Sequence, residues 1–288
     1  MKKYFSLVLF AHSVFALPFA MIGFFLGLAD NTSPFSWSLF VLVILCMVFA
    51  RNSAMAFNRY LDRKIDAKNP RTKTRDIPSG RVSASEALIF VIINCLLFVT
   101  TTWFINPLCF YLSPVALFIV LVYSYTKRFT ALCHLVLGLG LGLAPVGAYI
   151  AVTGAFSIVP VLYSFAVLFW VSGFDIIYAL QDQDFDRREK LHSIPAALGT
   201  RNALRLSELL HTGAALCVIA PVFLTQLSYA YYAGVVFFCA MLVYQHLLVK
   251  PEDISRVDRA FATTNGYASV IFAACFLLDT FLRTNFNL

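Results

Sequence analysis

The sequence predicts an all-α, multi-pass membrane protein in which nine transmembrane helices surround a central cavity. The 288-residue chain is 60% hydrophobic and only 13% charged, and its mean hydropathy is +0.79. A soluble domain has about 45 to 50% apolar and about 25% charged residues, so this chain carries too little polar surface to face water. We expect residues 1–288 to form a single transmembrane domain.

Nine apolar runs approach the length of about 20 residues that a membrane helix requires. The first run, after Lys2 and Lys3, is too long for a signal peptide and lacks a small-residue cleavage site, so we expect it to remain as a helix. The breaks at Asn106-Pro107 and Thr225-Gln226 are weak, and eight spans is the alternative count. The predicted spans are residues 5–29, 35–57, 84–105, 107–126, 132–152, 157–180, 203–225, 227–249 and 259–282.

The distribution of positive charge favours nine spans. If Lys2 and Lys3 are cytoplasmic and the spans alternate, only Arg283 among the 22 Lys and Arg residues lies outside. The positive-inside rule predicts such an asymmetry, and a wrong count would place basic residues on both sides. The net charge of +7 therefore indicates topology rather than nucleic-acid binding. The expected location is the inner (cytoplasmic) membrane.

Two polar stripes follow the second and sixth spans. The first motif, Asn58, Asp62 and Asp66, has the i, i+4, i+8 spacing that places side chains on one helix face. The second motif consists of Tyr178, Asp182 and Asp186, with the same spacing 120 residues later. Each is followed by a basic segment and a proline turn, which indicates a diverged internal repeat. We expect both motifs to meet at one mouth of the cavity, on the cytoplasmic side.

Clustered carboxylates repel one another unless a cation neutralises them. Oxygen ligands suit Mg²⁺, which commonly binds phosphate oxygens as well. Nearby basic residues would complete a diphosphate site by charge and hydrogen bonding; they are Arg51, Arg71, Arg75, Lys127, Arg128 and Lys190. Because the site opens into a bilayer-embedded cavity, the diphosphate is expected to carry a lipid tail.

Arg51 and Asp175 lie deeper along their helices than the rest of these residues. An unpaired charge inside the membrane costs at least about 2.5 to 3.5 kcal/mol. A functional partner is therefore expected for Arg51. Asp175 is either a substrate-binding residue or a group that hydrogen-bonds within the helix bundle.

The ordered motifs resemble the UbiA superfamily of intramembrane aromatic prenyltransferases over nearly the whole chain. The resemblance is carried by both aspartate motifs, by Arg71-T-x-x-Arg75-x-I-Pro78-x-Gly80 after the first, and by Lys127-Arg128 within Y-S-Y-T-K-R-F-T. It implies a transferase in which Mg²⁺ ions bridge the aspartates and the diphosphate of a polyprenyl donor. The implied metal ligands are Asn58, Asp62 and Asp66 on one side and Asp182 and Asp186 on the other.

The resemblance also implies the course of the reaction and its partners. Loss of diphosphate gives an allylic cation, which an electron-rich hydroxylated ring attacks. Metals stabilise the leaving group, and a dry pocket protects the cation from water. The expected acceptor is 4-hydroxybenzoate or a dihydroxynaphthoate, in respiratory quinone biosynthesis. Neither a nucleic acid nor an obligate protein partner is expected.

These considerations give one set of candidate residues. Those expected to be catalytic are Asp62, Asp66, Asp182 and Asp186. Those expected to bind substrate are Arg51, Asn58, Arg71, Arg75, Lys127, Arg128, Asp175, Tyr178 and Lys190. The Tyr178 ring, and with it Tyr123 and Phe174, is placed on or beside the motif helices, where an aromatic face would steady a cation.

The sequence departs from the family pattern at two places. Arg59 stands directly after Asn58, where many members have aspartate. The first span reads F-A-His12-S-V-F-A-L-Pro18, whereas members that act on 4-hydroxybenzoate commonly carry Arg-x-Asp-Lys-Pro-x-Gly. The first-span sequence of this chain resembles instead a branch of the family linked to menaquinone precursors. Prenyl transfer to heme or to a lipid alcohol remains an alternative within the superfamily.

Two other classes of membrane protein use buried acids. Ion-coupled transporters place them near the bilayer midplane in broken helices, whereas here they crowd at one interface. The CDP-alcohol phosphotransferases require a D-G-x-x-A-R core, which the sequence lacks. The prenyltransferase interpretation is therefore favoured over both.

Overall fold

The computed structural model describes residues 15–31 and 34–286, and these residues form a bundle of helices without a β-strand. The α-helices are α1 Leu17–Asp30, α2 Trp37–Lys68, α3 Ala84–Trp103, α4 Pro107–Thr126, α5 Cys133–Thr153, α6 Ile158–Ala179, α7 Gln183–Arg188, α8 Ile194–Ile219, α9 Tyr229–Leu248 and α10 Asn265–Phe286. Short 3-10 turns at Leu180–Asp182 and Ala220–Phe223 extend α6 and α8, and a π-helical turn at Arg259–Thr264 leads into α10. Lys2, Lys3 and His12 lie outside the described residues.

The prediction of an all-α, multi-pass membrane protein is confirmed. Within the described ranges, eight helices are long and apolar enough to cross a bilayer, namely α2 to α6 and α8 to α10 with their adjoining turns. The apolar helix α1, of 14 residues, occupies the second half of the first predicted span. Residues 5–14 of that span are outside the described part of the chain. The predicted count of nine is thus close to what the structure contains.

Both weak breaks in the apolar sequence are real helix boundaries. Asn106 caps α4, because its side-chain oxygen accepts a hydrogen bond from the Cys109 amide at 2.8 Å and Pro107 occupies the first turn. The Asn106 amide group also donates to the Ile150 carbonyl at 2.8 Å, which ties this turn to α5. The second break separates the turn that ends at Phe223 from α9, which begins at Tyr229.

Two helices extend beyond their predicted spans, and these extensions build the site. Helix α2 has 32 residues and is about 48 Å long at 1.5 Å per residue, whereas the hydrocarbon core is about 30 Å thick. The first motif lies on the part that continues past residue 57. Helix α8 begins at Ile194 rather than 203, because Ser193 caps it by accepting from the Ala196 amide at 3.3 Å. A kink at Gly199, where φ is +76°, separates this first segment from the rest of α8.

Helices α5 and α6 pack with their backbones in close contact. A Cβ atom added at Gly138 would lie 2.4 Å from the Leu168 carbonyl oxygen, and one at Gly142 would lie 2.8 Å from that of Ser164. Only glycine fits at such distances. The contact brings the first turn of α5 beside the last turns of α6.

A largely apolar cavity of about 540 Å³ occupies the centre of the bundle. Helices α1, α2, α4, α5 and α6 contribute to its walls. At the motif-bearing end its lining includes Arg51, Asp175 and Tyr123, and at the opposite end it includes Ile150 and Phe156. The cavity therefore extends along most of the length of the helices.

Candidate functional site

The loops that carry the two motifs lie side by side at one end of the bundle. The Lys68 ammonium, at the end of α2, forms an ion pair with Glu189 at 2.6 Å, just after α7. The His192 amide donates to the Lys127 carbonyl at 2.7 Å, which joins the loop after the second motif to the loop after α4. The structure thus brings the first motif, the second motif and the Lys127-Arg128 turn into one cluster.

Asp62 of the first motif is the most completely surrounded acid in this cluster. Its side chain is 1% exposed. Lys127 approaches one carboxylate oxygen at 2.5 Å, and Arg128 donates to the other at 2.9 Å. The Asn58 amide donates to Asp62 at 3.2 Å. Since a buried carboxylate is costly without partners, these contacts hold Asp62 at the site.

Asp66, one turn further along α2, is partnered by the segment that follows it. One carboxylate oxygen accepts from Arg75 at 2.8 Å, and the Asp66 backbone carbonyl accepts from the Thr72 hydroxyl at 3.1 Å. The other carboxylate oxygen, Oδ2, is buried and has no hydrogen-bond partner among the described residues. Asp66 therefore retains a buried oxygen that is available to a further ligand.

Arg71 connects the first loop to the second motif. Its guanidinium donates to both carboxylate oxygens of Asp182, and a third N–H donates to the Tyr178 hydroxyl at 2.9 Å. Asn69 also donates to Asp182 at 2.9 Å. Burial alone would lower the pKa of Arg71, but its hydrogen bonds and charge interactions with Asp182 and Tyr178 outweigh burial, so the pKa is raised. Arg71 is thus a fixed positive charge between the two motifs.

Asp186 and Lys190 complete the second motif and the loop after it. Asp186 lies on α7, near the Ser193 side chain and within electrostatic reach of Lys127. Lys190 adopts a φ of +55°, a left-handed conformation that turns the chain toward α8. Its side chain is exposed. Lys190 therefore lies at the outer edge of the cluster.

A second, polar cavity of about 300 Å³ lies beyond the apolar one along the helix axes. We call it the arginine basin. Arg59 in its lining is eight residues beyond Arg51 on α2, about 12 Å further along the axis. The lining residues are Arg59, Arg71, Thr72, Thr74, Arg75, Asp76, Arg81 and Tyr178. Four guanidinium groups against one carboxylate make this basin suited to an anion.

Besides Arg59, four polar residues of the arginine basin were not among the candidates predicted from the sequence, namely Arg81, Asp76, Thr72 and Thr74. Arg59 was noted there only as a departure from the family pattern. Arg81 forms an ion pair with Asp76 at 3.0 Å, which fixes it at the rim of the basin. The basic character of residues 71–81 was visible in the sequence, but the side of the loop on which each residue lies was not.

Arg51 and Asp175 do not join the acidic cluster; both line the apolar cavity. The Asp175 carboxylate pairs with the His134 ring at 2.6 Å, so this residue does hydrogen-bond within the bundle while also facing the cavity. The sequence analysis did not propose His134 for the site. Its only local signal is a position in the first turn of a helix that follows Lys127-Arg128.

The carboxylate oxygens are suitable ligands for a hard divalent cation, although they do not form a complete coordination site. In the described part of the chain, no group of three or more His, Cys, Asp or Glu side chains is close enough to hold a metal ion. Three of the four motif aspartates instead contact Arg or Lys. The partnerless buried oxygen of Asp66 and the remaining carboxylate and amide oxygens are nevertheless the ligand types that Mg²⁺ prefers.

The sequence is similar to a known family and to named members of it. Residues 16–275 match the model of the UbiA prenyltransferase family. The 4-hydroxybenzoate octaprenyltransferase of Tolumonas auensis is 31% identical over 252 residues, which cover 88% of this chain and 87% of that protein. The protein of the same name from Vibrio parahaemolyticus is 31% identical over 242 residues, covering 82% and 83%.

Solved structures show the same arrangement of helices. A UbiA homolog from Aeropyrum pernix K1, in its apo form, superposes with a TM-score of 0.83 at 33% identity and covers 93% of this chain and 98% of its own. A UbiA homolog from Archaeoglobus fulgidus, bound to GPP and Mg²⁺, gives a TM-score of 0.76 at 23% identity over 96% and 99% of the two chains. At that identity the second comparison bears on the fold alone.

Proposed function

Because the chain belongs to the UbiA prenyltransferase family, we propose that it transfers a polyprenyl group from its diphosphate to an aromatic hydroxy acid of the 4-hydroxybenzoate type. One observation carries this proposal: a long apolar cavity ends beside two aspartate motifs and an arginine basin. A molecule with an apolar tail and a diphosphate head matches that combination. The names of the similar octaprenyltransferases support the choice of acceptor, and a dihydroxynaphthoate is the alternative.

The donor is proposed to lie across the two cavities. Its tail occupies the apolar cavity, whose walls offer little hydrogen bonding to water. Its diphosphate lies at the cluster end, where Arg71, Arg75 and Lys127 bind phosphate oxygens by charge-assisted hydrogen bonds. Arg128 and Lys190 add positive charge around them. Arg71, Arg75, Lys127 and Arg128 each contact an aspartate in the present structure, and their gathering at the cluster end supports this role.

The family and the oxygen donors support dependence on a divalent metal, and we propose Mg²⁺. Asn58, Asp62 and Asp66 would hold it from one side and Asp182 and Asp186 from the other. When bound, the metal would neutralise the negative charge that develops on the departing diphosphate. The contribution of this chain is to place these oxygens and the arginines around one headgroup.

Arg51 is proposed to bind the acceptor carboxylate. It lies in the wall of the apolar cavity, two turns before the first motif, together with Asn52 and Tyr123. A guanidinium binds a carboxylate through two parallel hydrogen bonds, and this geometry orients a planar ring. An acceptor held there would lie between the donor tail and the cluster, with the Phe174 ring nearby. Tyr178 stacks on Phe261 at 4.2 Å between ring centroids and has the Arg71 guanidinium 5.2 Å from its own centroid. Its hydroxyl accepts from Arg71, and we propose that Tyr178 holds this guanidinium at the diphosphate end.

The proposal is tested by product formation. Purified protein in lipid vesicles would receive geranyl diphosphate, Mg²⁺ and one acceptor from a panel of 4-hydroxybenzoate, dihydroxynaphthoate, heme and a lipid alcohol. We expect a prenylated 4-hydroxybenzoate in the mass spectrum, and its loss when a chelator removes the metal. Product with another acceptor alone would refute the acceptor assignment. Absence of product with every acceptor and divalent metal would refute the transferase itself.

A further inference from the structure

Asp175 and His134 form a hydrogen-bonded pair in the wall of the apolar cavity. Asp175 is on the last turn but one of α6 and lines the cavity, whereas His134 is behind it, 3% exposed, on the first turn of α5. His134 Nδ1 and Asp175 Oδ2 are 2.6 Å apart. The close packing of α5 on α6 at Gly138 makes this short distance possible.

The other ring nitrogen determines which atom of His134 carries the proton. The Ile194 backbone N–H donates to His134 Nε2 at 3.3 Å. Ile194 is the first residue of α8, where helix N–H groups have no partner within the helix. Since Nε2 accepts this hydrogen bond, Nδ1 carries the proton and donates it to Asp175. The His134 ring, held by Ile194 on one side, thus fixes the orientation of the Asp175 carboxylate.

Asp175 differs from the motif aspartates in what it contacts. Asp62, Asp66 and Asp182 each contact at least one Arg or Lys side chain. In the described part of the chain, Asp175 has His134 as its hydrogen-bond partner through Oδ2. Its side chain is 23% exposed at the cavity wall. A carboxylate oxygen of Asp175 is therefore accessible from the space where an acceptor ring would bind beside Arg51.

We infer that Asp175 is the base that removes the ring proton of the acceptor, and that His134 is the positioning residue that holds Asp175 in place. This inference rests on the proposed function. As the donor C–O bond breaks, its electron pair leaves with the diphosphate. A π electron pair of the ring then forms the new C–C bond. The ring carbon next transfers its proton to Asp175, and the C–H electron pair restores aromaticity.

The role of Asp175 is tested with an acceptor deuterated at the ring position that becomes prenylated. In the unsubstituted protein we expect no primary isotope effect on kcat, because a well-placed base makes proton loss fast. Asp175→Asn removes the base, so kcat should fall about 100-fold or more, the range of general-base catalysis. A primary isotope effect should then appear, because proton loss limits the rate. Glu252→Gln, at an exposed acid far from the cavity, is the matched control.

The role of His134 is tested with two substitutions, one to a residue without a hydrogen-bond donor and one to a residue with such a donor. His134→Leu leaves Asp175 without its donor, and we expect a lower kcat, an unchanged KM for the donor diphosphate and a primary isotope effect. His134→Asn retains an N–H toward Asp175 and should restore kcat without that effect. A general loss of packing would lower the activity of both variants and would not create an isotope effect. The His134 variants also keep the test available if Asp175→Asn does not fold.

The outcomes separate this inference from the proposed function. Absence of product from the unsubstituted protein refutes the proposed function. Product formation by Asp175→Asn at the original rate refutes the base. A reduced rate in Asp175→Asn and His134→Leu without an isotope effect in either also refutes it, because the loss is then structural.

Discussion

At the scale of single residues, three of the four motif carboxylates each contact particular cationic side chains. Asp62 is held by Lys127 and Arg128, and Asp182 by Arg71. None of these contacts joins residues of the same helix. Removal of one partner leaves the other charge partly buried, so substitutions that keep shape but remove charge are the most informative.

Asp62→Asn is predicted to lower kcat at least about 100-fold, because a carboxylate that helps to stabilise the leaving group is replaced by a neutral amide. The amide keeps the size of the side chain, so the protein should remain folded. The measurement is Mg²⁺-dependent product formation together with thermal unfolding in detergent. Asp184→Asn, an exposed acid in the same segment as the second motif, serves as control. Full activity of Asp62→Asn would contradict the assigned role.

Arg71→Lys is predicted to raise the KM for the prenyl diphosphate about tenfold, which corresponds to about 1.4 kcal/mol. Lysine keeps the charge but loses the fork that contacts both oxygens of Asp182 and the Tyr178 hydroxyl. The KM for the acceptor should change little. Steady-state kinetics with each substrate varied in turn would measure both constants. The control is Lys73→Ala, an exposed cation of the same loop, which should leave this KM unchanged. An unchanged KM in Arg71→Lys together with a raised KM in Lys73→Ala would show that only total charge matters.

At the scale of elements, close packing of α5 on α6 places the His134-Asp175 pair. Gly138 is the point of closest approach, where an added Cβ would lie 2.3 Å from the Ser172 hydroxyl. This requirement follows from the path of the neighbouring helix rather than from any local turn. The glycine-rich run of α5 shows that close packing occurs, but not against which helix.

Gly138→Leu is predicted to lower the thermal unfolding temperature and to reduce turnover, because the side chain would force α5 away from α6. Overpacking of this kind typically costs about 1 to 3 kcal/mol. Gly147→Ala provides the comparison, since nothing lies within 4 Å of a Cβ added there. Both variants would be followed by thermal unfolding in the same detergent. An equal unfolding temperature for the two would contradict the assigned contact.

At the scale of the whole molecule, the basic loops that surround the site are predicted to face the cytoplasm. Membership of a transferase family, together with the gathering of the motif aspartates at one end, also separates this chain from the ion-coupled transporters considered for it. The prediction of orientation rests on the positive-inside rule. The orientation of the protein determines from which side of the membrane the substrate headgroups reach the site.

Single cysteines at Lys73 and at Ser157, in a chain whose seven native cysteines are replaced, would test this orientation. Ser157 precedes α6 at the opposite end from the motifs. A membrane-impermeant maleimide should label position 157 in spheroplasts. It should label position 73 only in inverted vesicles. The reverse pattern would place the mouth of the site outside.

The sequence by itself determined where most apolar helices lie, the boundary at Asn106-Pro107 and the spacing of both motifs, because hydropathy, capping and helical periodicity are local properties. It also determined which residue types would be available for a diphosphate and a metal. Only the tertiary structure decided that Arg71 crosses to Asp182, that Arg51 and Asp175 line the cavity, and that His134 supports Asp175. Those contacts join residues that are far apart in the chain, and they depend on how closely and at what rotation the helices pack.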